Sequence, residues 1–328
     1  MISLASRGLR KLREARHDRL ARAVIETPPA RACDDGVIIF SMIGTRVLLP
    51  YLVAAKSLHA RLGRGRFAIL DDGTVTASDR AVLAEHLDRP EILPIDRVDT
   101  GSCPRGGCWE RLLTLLELRR DAYVVQLDSD TVTLGPLDEV AAAIDAGRGF
   151  TLLGGSDAQL LPAADYAADR AALGPAHVQR VAEAALDRLD GGLPSARFYV
   201  RGCAGFAGFA PGGLDREVAE TCSRELAELV GAARWAEWGS EQVMSNLLVA
   251  NERDPVLLPY DRYLNYWGEP LPPGANFVHF VGTYRHHGGA YAAATRRALA
   301  ELGAPAQPRT SANASPSRSR ANTASQPA

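Results

Sequence analysis

Apolar runs typical of β-strands alternate with segments of helical spacing along most of the chain. The runs VIIFSMI at 37–43, RFAIL at 66–70 and YVVQL at 123–127 predict buried strands, because they are short, apolar and bounded by polar residues. Between them, 48–62 and 109–120 carry apolar residues at the spacing of amphipathic helices. This alternation predicts an α/β fold, in which an open and mostly parallel sheet carries helices on both faces.

Polar residues between these elements mark turns and helix starts. Asp71-Asp72-Gly73 follows the second predicted strand and is typical of a turn, which is one of two interpretations of Asp72. Thr76 and Asp79 are placed to cap a helix that continues through AVLAEHL.

The first 31 residues form a basic segment. They contain eight Lys or Arg against three acids, and Pro28-Pro29 ends their helical pattern. The apolar positions fall on roughly one face of the predicted helix: Leu9, Leu12, Ala15, Leu20, Ala23 and Val24. Two interpretations stay open. One is a helix that packs on the main domain or forms a solvated arm, and the other is peripheral contact with an anionic membrane surface.

Three later segments have their own character. Residues 162–191 are rich in Ala, Arg and Asp and predict a helical insertion or lid. Residues 202–213 are mostly small, and this composition suits either close approach of the backbone to a ligand or a tightly packed strand and turn. Residues 304–328 lack large apolar side chains and predict a disordered tail.

The composition is that of an ordinary soluble globular protein, with 46% hydrophobic and 23% charged residues. A net charge of −2 argues against nucleic acid as a partner of the whole chain. Five scattered cysteines favour a reducing compartment, and Cys103 and Cys108 lack the further ligands of a zinc site. Because no apolar run could span a bilayer and no secretory leader is evident, we expect a cytoplasmic protein.

Asp128-Ser129-Asp130 comes directly after the third predicted strand. Open α/β sheets bind ligands outside the carboxyl ends of their strands, so this position favours function. Two carboxylates one residue apart are suitable ligands for Mg²⁺ or Mn²⁺, whereas the alternative is a solvated turn. No phosphate-binding or dinucleotide-binding glycine motif follows any predicted strand.

A second polar block follows much later, in FVHFVGTYRHHGGAY at 277–291. His279 can supply an imidazole ligand, Gly282 allows the backbone to approach a diphosphate, and Arg285 can neutralise one. Together with the aspartates, this block predicts a metal–diphosphate site.

These blocks resemble GT-A-fold glycosyltransferases, most closely the retaining enzymes of the glycogenin and bacterial lipopolysaccharide galactosyltransferase type. The resemblance spans residues 37–290 and implies a single Rossmann-like catalytic domain at 32–303. It also implies a nucleotide-sugar donor, transfer with retention, and a glycan, lipid-linked or small-molecule acceptor.

The resemblance implies a role for each matched residue. The implied ligands of Mn²⁺ or Mg²⁺ are Asp128, Asp130 and His279. The implied nucleotide and diphosphate contacts are Arg111, Gly282 and Arg285. Ser41 and Asp72 are further candidate nucleotide contacts, and the second interpretation of Asp72 is a bond to the ribose or the base. In the block EQVMSN, Gln242 is expected near the anomeric carbon and Glu241 near the sugar hydroxyls, with Asp157 also contacting the donor sugar.

The chain departs from the family pattern at the base and sugar contacts. Ile43-Gly44 and Val47 stand where the family has Thr-Asn and Tyr against uracil, and Cys203 stands where it has Asn. Two other functions therefore stay open. One is a metal-dependent nucleotidyltransferase, and the other is a degenerate protein that binds a sugar nucleotide or a glycan without turnover.

Overall fold

A seven-stranded sheet forms the centre of the computed structural model, which describes residues 4–171, 177–194 and 197–303. The strands are β1 Val37–Ile43, β2 Arg66–Asp71, β3 Glu91–Pro94, β4 Tyr123–Leu127, β5 Thr131–Thr133, β6 Phe150–Leu153, β7 Leu161–Pro162, β8 Phe198–Tyr199, β9 Gly202–Phe209, β10 Val256–Leu257, β11 Tyr263–Asn265 and β12 Phe277–His279. The order in the central sheet is β10-β6-β9-β4-β1-β2-β3. Only β9 runs antiparallel to its neighbours in this sheet.

Helices cover both faces of the central sheet. They are α1 Leu4–Ala21, α2 Leu48–Leu62, α3 Ala77–His86, α4 Trp109–Leu118, α5 Asp138–Asp145, α6 Ala163–Ala171, α7 Val178–Glu183, α8 Arg216–Val230, α9 Ala232–Trp235, α10 Ser240–Ala250 and α11 Ala290–Glu301. Side chains of β1 alternate between the two cores: Val37 and Ile39 pack on one side, and Ile38 and Phe40 on the other. Because both faces are buried, the strand reads as a continuous apolar run.

The predicted α/β architecture is confirmed. The three predicted strands form as β1, β2 and β4, and the helix predicted at 109–120 ends at Leu118. Thr76 and Asp79 form a reciprocal capping box at the start of α3.

The small-residue segment is the buried strand β9, which is the tightly packed alternative for residues 202–209. The described parts of the predicted insertion are helical, in α6, α7 and a 3₁₀ turn at Leu186–Arg188. Residues 172–176 and the predicted tail at 304–328 lie outside the described residues.

Among the residues of the N-terminal helix whose side chains the structure describes, burial begins at His17. His17, Leu20 and Ala21 are buried, whereas Leu9 and Leu12 are 49% and 67% exposed. The apolar face predicted from the sequence is therefore covered by the domain at Leu20 but not at Leu9 or Leu12, and a 3₁₀ turn at Arg22–Glu26 follows the α-helix. No helix among the described residues is long and apolar enough to cross a membrane.

A second sheet, β11-β12-β5, joins the carboxyl end of β4 to a late part of the chain. In this sheet β12 pairs antiparallel with β5, which sets His279 opposite Thr131. The pairing brings the late polar block beside the turn that carries the two aspartates.

Candidate functional site

The turn that carries Asp128 and Asp130 is held on both sides by backbone hydrogen bonds. The Asp128 amide donates to the carbonyl of Gly205 in β9 at 2.9 Å, and the Phe280 amide donates to the carbonyl of Asp130 at 2.8 Å. The Thr131 hydroxyl closes the turn by donating to the Asp128 carbonyl at 2.9 Å. The position of the carboxylates is therefore fixed by strands from three parts of the sequence.

His279 completes a triad with the two aspartates. Its Nε2 lies 3.2 Å from Oδ1 of Asp130 and 3.8 Å from Oδ2 of Asp128. One ligand atom from each of the three residues lies within 4.8 Å of the others. A small divalent cation can be bound by such a set, since two carboxylates and an imidazole match the ligands that Mn²⁺ accepts.

Each aspartate divides its two oxygens between an arginine and the histidine. Arg111 donates to Oδ1 of Asp128, and Arg285 donates to Oδ2 of Asp130. The other oxygen of each carboxylate faces the Nε2 of His279. The arginines therefore hold the outer oxygens while the inner oxygens converge on one point, as a bound cation requires.

The orientation of the His279 ring is fixed from behind. The Asn265 amide donates to the carbonyl of Leu153 at 2.8 Å, which turns its Oδ1 toward Nδ1 of His279 at 3.0 Å. A carbonyl oxygen only accepts, so Nδ1 carries the hydrogen of this bond, and Nε2 is left to face the carboxylates. Sequence reasoning missed Asn265; the only signal was a polar residue in the short apolar strand β11.

The strand β9 passes against the other side of the same ring. Cys203 Sγ lies 3.2 Å from Nδ1 of His279, and a Cβ at Gly205 would lie 2.4 Å from its Cε1. Only glycine leaves room for the imidazole at this position. The sequence predicted close packing or close backbone approach in this segment, but did not identify His279 as the neighbour.

The charges of the triad stabilise one another. Burial opposes ionisation of Asp130, but His279 and Arg285 outweigh it and lower its pKa to about 2. Burial would lower the pKa of His279, but Cys203 and Asp130 raise it well above 6.5. His279 and Asp130 therefore each favour the charged form of the other.

Glu241 is buried beneath Arg111 rather than exposed to a substrate. Its carboxylate accepts from Arg111 at 3.2 Å and 3.3 Å, and its side chain is almost inaccessible. Burial would lower the pKa of Arg111, but Glu241 and Asp128 outweigh it and raise that pKa. The predicted contact of Glu241 with sugar hydroxyls does not fit this position, whereas holding Arg111 does.

Two other predicted contacts are engaged within the fold. Ser41 is fully buried in β1, where its hydroxyl donates to the Leu127 carbonyl at 2.7 Å. Asp72 accepts from the amide of Thr74 at 3.0 Å and from its hydroxyl at 2.6 Å. The contacts of Asp72 are therefore those of a turn. The Ser41 side chain is not accessible to a ligand.

The remaining predicted residues lie at accessible positions. Gln242 is half-buried at the start of α10, next to Glu241. Gly282 is exposed in the 3₁₀ turn before Arg285 and has a φ of +46°, a conformation that favours glycine. Asp157 is exposed in the loop after β6, on the wall of a cavity to which Asn265 also contributes.

Solved structures with a similar fold include glycosyltransferases, as the sequence resemblance predicts. The galactosyltransferase LgtC, with donor and acceptor sugar analogues, matches at a TM-score of 0.47 and 13% identity, over 83% of this chain and 98% of that one. The WbbM bifunctional glycosyltransferase matches at 0.46 and 14%, over 77% and 47% of the two chains. Core-mannan synthase A from Aspergillus fumigatus, in a Mn/GDP form, matches at 0.42 and 9%, over 85% and 88%.

The likeness to these structures is one of fold. No family model and no curated protein matches the sequence.

Proposed function

We propose that this protein is a divalent-cation-dependent glycosyltransferase, which moves a sugar from a nucleotide-diphosphate sugar to a glycan, lipid-linked or small-molecule acceptor. The observation that carries the proposal is the triad of Asp128, Asp130 and His279, whose inner ligand atoms converge between two arginines. Such a site suits a diphosphate, because carboxylates bind the cation while guanidinium groups bind phosphate oxygens.

In the proposed reaction, Asp128, Asp130 and His279 would hold Mn²⁺ or Mg²⁺. When bound, the ion would supply positive charge to the diphosphate leaving group. Arg285, which is half-buried and held at the carbonyl of Phe280 as well as at Asp130, is positioned to add charge where it develops. Arg111 would do the same from the Asp128 side, kept in place by Glu241.

Gln242 is the residue that we propose to lie near the reacting carbon, as the family resemblance implies. Its half-buried position beside Glu241 is compatible with this role. Retention of the anomeric configuration is proposed on the same resemblance. The base contacts are not assigned, because Ser41 is enclosed and Asp72 is engaged in its own turn.

A panel of sugar nucleotides incubated with the protein and Mn²⁺ tests the proposal. We expect at least one donor to release its nucleoside diphosphate, by transfer or by slow hydrolysis. Asp130→Asn and His279→Ala should each abolish this release, because the first removes the negative charge that binds the cation and the second removes the imidazole ligand. Asp121→Asn, which alters an exposed aspartate before β4, is the matched control and should retain the release.

Two other outcomes of the same incubation would contradict glycosyl transfer. Release of pyrophosphate would identify a nucleotidyltransferase, and binding of a donor without any release would identify a protein without turnover. Donor consumption by Asp130→Asn at the wild-type rate would reject the site itself. Thermal melts of each variant establish that the fold is retained.

A further inference from the structure

A cavity of about 400 Å³ is lined in part by Asn265, the hydrogen-bond partner of His279. Three aromatic side chains line it, from Tyr260, Tyr266 and Trp267, together with the acidic side chains of Asp157 and Glu269. A volume of this size is within the range of small-molecule sites. The cavity is therefore large enough for a sugar ring and lined by two kinds of side chain that contact sugars.

The two acids are available to a ligand. Asp157 and Glu269 are both exposed, and neither has a hydrogen bond or an ion pair within the part of the chain that the structure describes. An ionised carboxylate only accepts hydrogen bonds, so a ligand that offers several hydroxyl donors would match both.

Trp267 supplies an accessible apolar surface. Its side chain is 43% exposed and meets Tyr284 edge-on, with ring centroids 5.9 Å apart and planes at 80°. The C–H face of a pyranose can pack on an indole ring while its hydroxyls reach polar neighbours. Aromatic and acidic side chains on one cavity wall thus point to a carbohydrate.

We propose that this cavity binds a sugar ring of the acceptor, an assignment that rests on the proposed glycosyl transfer. Asn265 is shared by the cavity and by the triad, and it contacts His279 at Nδ1. The carboxylates that would bind the cation lie at Nε2, on the opposite edge of the same ring. The Asn265 side chain and the His279 ring therefore lie between the cavity and the proposed diphosphate site, and Asp157 is assigned to acceptor hydroxyls rather than to the donor sugar.

The cavity wall is also joined to the segment that carries Arg285. The Tyr266 hydroxyl donates to the His287 carbonyl at 3.0 Å, and Trp267 contacts Tyr284. A sugar on Trp267 would therefore lie beside the residues proposed to bind the diphosphate, as an acceptor must.

Saccharide binding without nucleotide or cation tests the proposal. We would titrate the protein with glucose, galactose, mannose, N-acetylglucosamine, maltose, lactose and octyl β-glucoside, and follow binding by saturation-transfer NMR. At least one saccharide should bind, and Trp267→Ala should weaken it by about tenfold, equivalent to about 1.4 kcal/mol. Tighter binding of octyl β-glucoside than of glucose would assign the acceptor to the lipid-linked class.

Trp238→Ala is the matched control, because Trp238 is 70% exposed and does not line the cavity. It should bind the saccharide as the wild type does. Glu269→Gln provides a second variant and should also weaken binding. Affinity for Mn²⁺ should be unchanged in Trp267→Ala, which separates a failure of the cavity from a failure of the triad.

Two results would overturn the proposal: no saccharide of the panel binds, or Trp267→Ala binds it with unchanged affinity. Neither result depends on donor turnover, because no nucleotide is present in the titration.

Discussion

Asn265 determines which nitrogen of His279 faces the aspartates. Its amide group donates to the Leu153 carbonyl, so its oxygen must accept from Nδ1. This leaves Nε2 as the only ring atom that can bind a cation. Residues behind a metal-binding histidine affect affinity because they hold the ring in its binding orientation.

Asn265→Leu should weaken Mn²⁺ binding by roughly 10-fold to 100-fold, the usual effect of removing such a partner. Leucine has a similar volume but cannot accept from Nδ1, so the ring loses its orientation. Mn²⁺ affinity measured by electron paramagnetic resonance checks this prediction. Asn265→Asp retains an acceptor for Nδ1 and should bind Mn²⁺ more tightly than Asn265→Leu.

Asn251→Leu is a control for the general effect of losing an amide. Asn251 bonds to the carbonyls of Phe198 and Leu247, away from the triad. This variant should melt at a lower temperature but bind Mn²⁺ normally. Equal loss of Mn²⁺ affinity in both leucine variants would assign Asn265 a merely structural role.

The sequence identified the triad but not the residues that support it. Asp128, Asp130 and His279 were found because their side-chain chemistry follows strands in a recognisable order. Asn265 and Gly205 were missed as neighbours of His279, since strand pairing across distant segments decides which residues meet the ring. The Ser41 hydroxyl donates to the Leu127 carbonyl of the neighbouring strand β4, and strand periodicity alone does not predict this contact.

The N-terminal helix is held to the domain at His17. The His17 ring stacks on Tyr291 with ring centroids 3.8 Å apart, and its Nε2 is 3.0 Å from the hydroxyl of Thr295. Burial, followed by His286 and Arg285, lowers the pKa of His17 to about 3. The docked helix therefore requires a neutral His17.

Docking of α1 should weaken as the pH falls from 6.5 toward 3. A free His17 binds a proton below 6.5 whereas the docked one does not, so stability is fully present above 6.5 and is lost on acidification. The expected slope approaches about 1.4 kcal/mol per pH unit. Hydrogen exchange of residues 8–21, corrected for intrinsic rates, should show earlier opening at pH 5 than at pH 7.

His17→Gln keeps a hydrogen-bonding side chain without this titration, so it should lose most of the pH dependence. Some should remain, because burial and Arg285 also lower the pKa of His286, which faces the same ring. A pH dependence as steep as that of the wild type would contradict the role of His17.

The two halves of α1 show what helical periodicity can and cannot predict. It placed Leu9 and Leu12 on the same face as Leu20, yet only Leu20 is buried. Periodicity shows that a helix has an apolar face. How much of that face is buried depends on α2 and α11, the helices that α1 contacts. The membrane contact of residues 1–31 stays a prediction, and Leu9 and Leu12 are the exposed residues on which it depends.

A bound cation would connect the two sheets of the protein. Asp128 and Asp130 follow the central strand β4, whereas His279 belongs to the smaller sheet. Since the unfolded chain does not bring these ligands together, a cation should bind the folded state selectively and stabilise it.

Mn²⁺ at 100 times its dissociation constant should stabilise the fold by about 2.7 kcal/mol, which corresponds to a melting temperature roughly 5 °C higher. Differential scanning calorimetry with and without Mn²⁺ measures the shift, and a chelator should reverse it. In Asp130→Asn the shift should disappear. An equal shift in that variant would show that Mn²⁺ binds elsewhere.

The separation of the ligands along the chain has a consequence for synthesis. Asp130 and its partner Arg285 are 155 residues apart, and His279 reaches the aspartates only after β12 has paired with β5. A nascent chain that has not yet emerged past β12 carries both carboxylates but no imidazole to complete the triad. Translation therefore delays ion capture, and a chain truncated before His279 would lack a complete site however well its central sheet had folded.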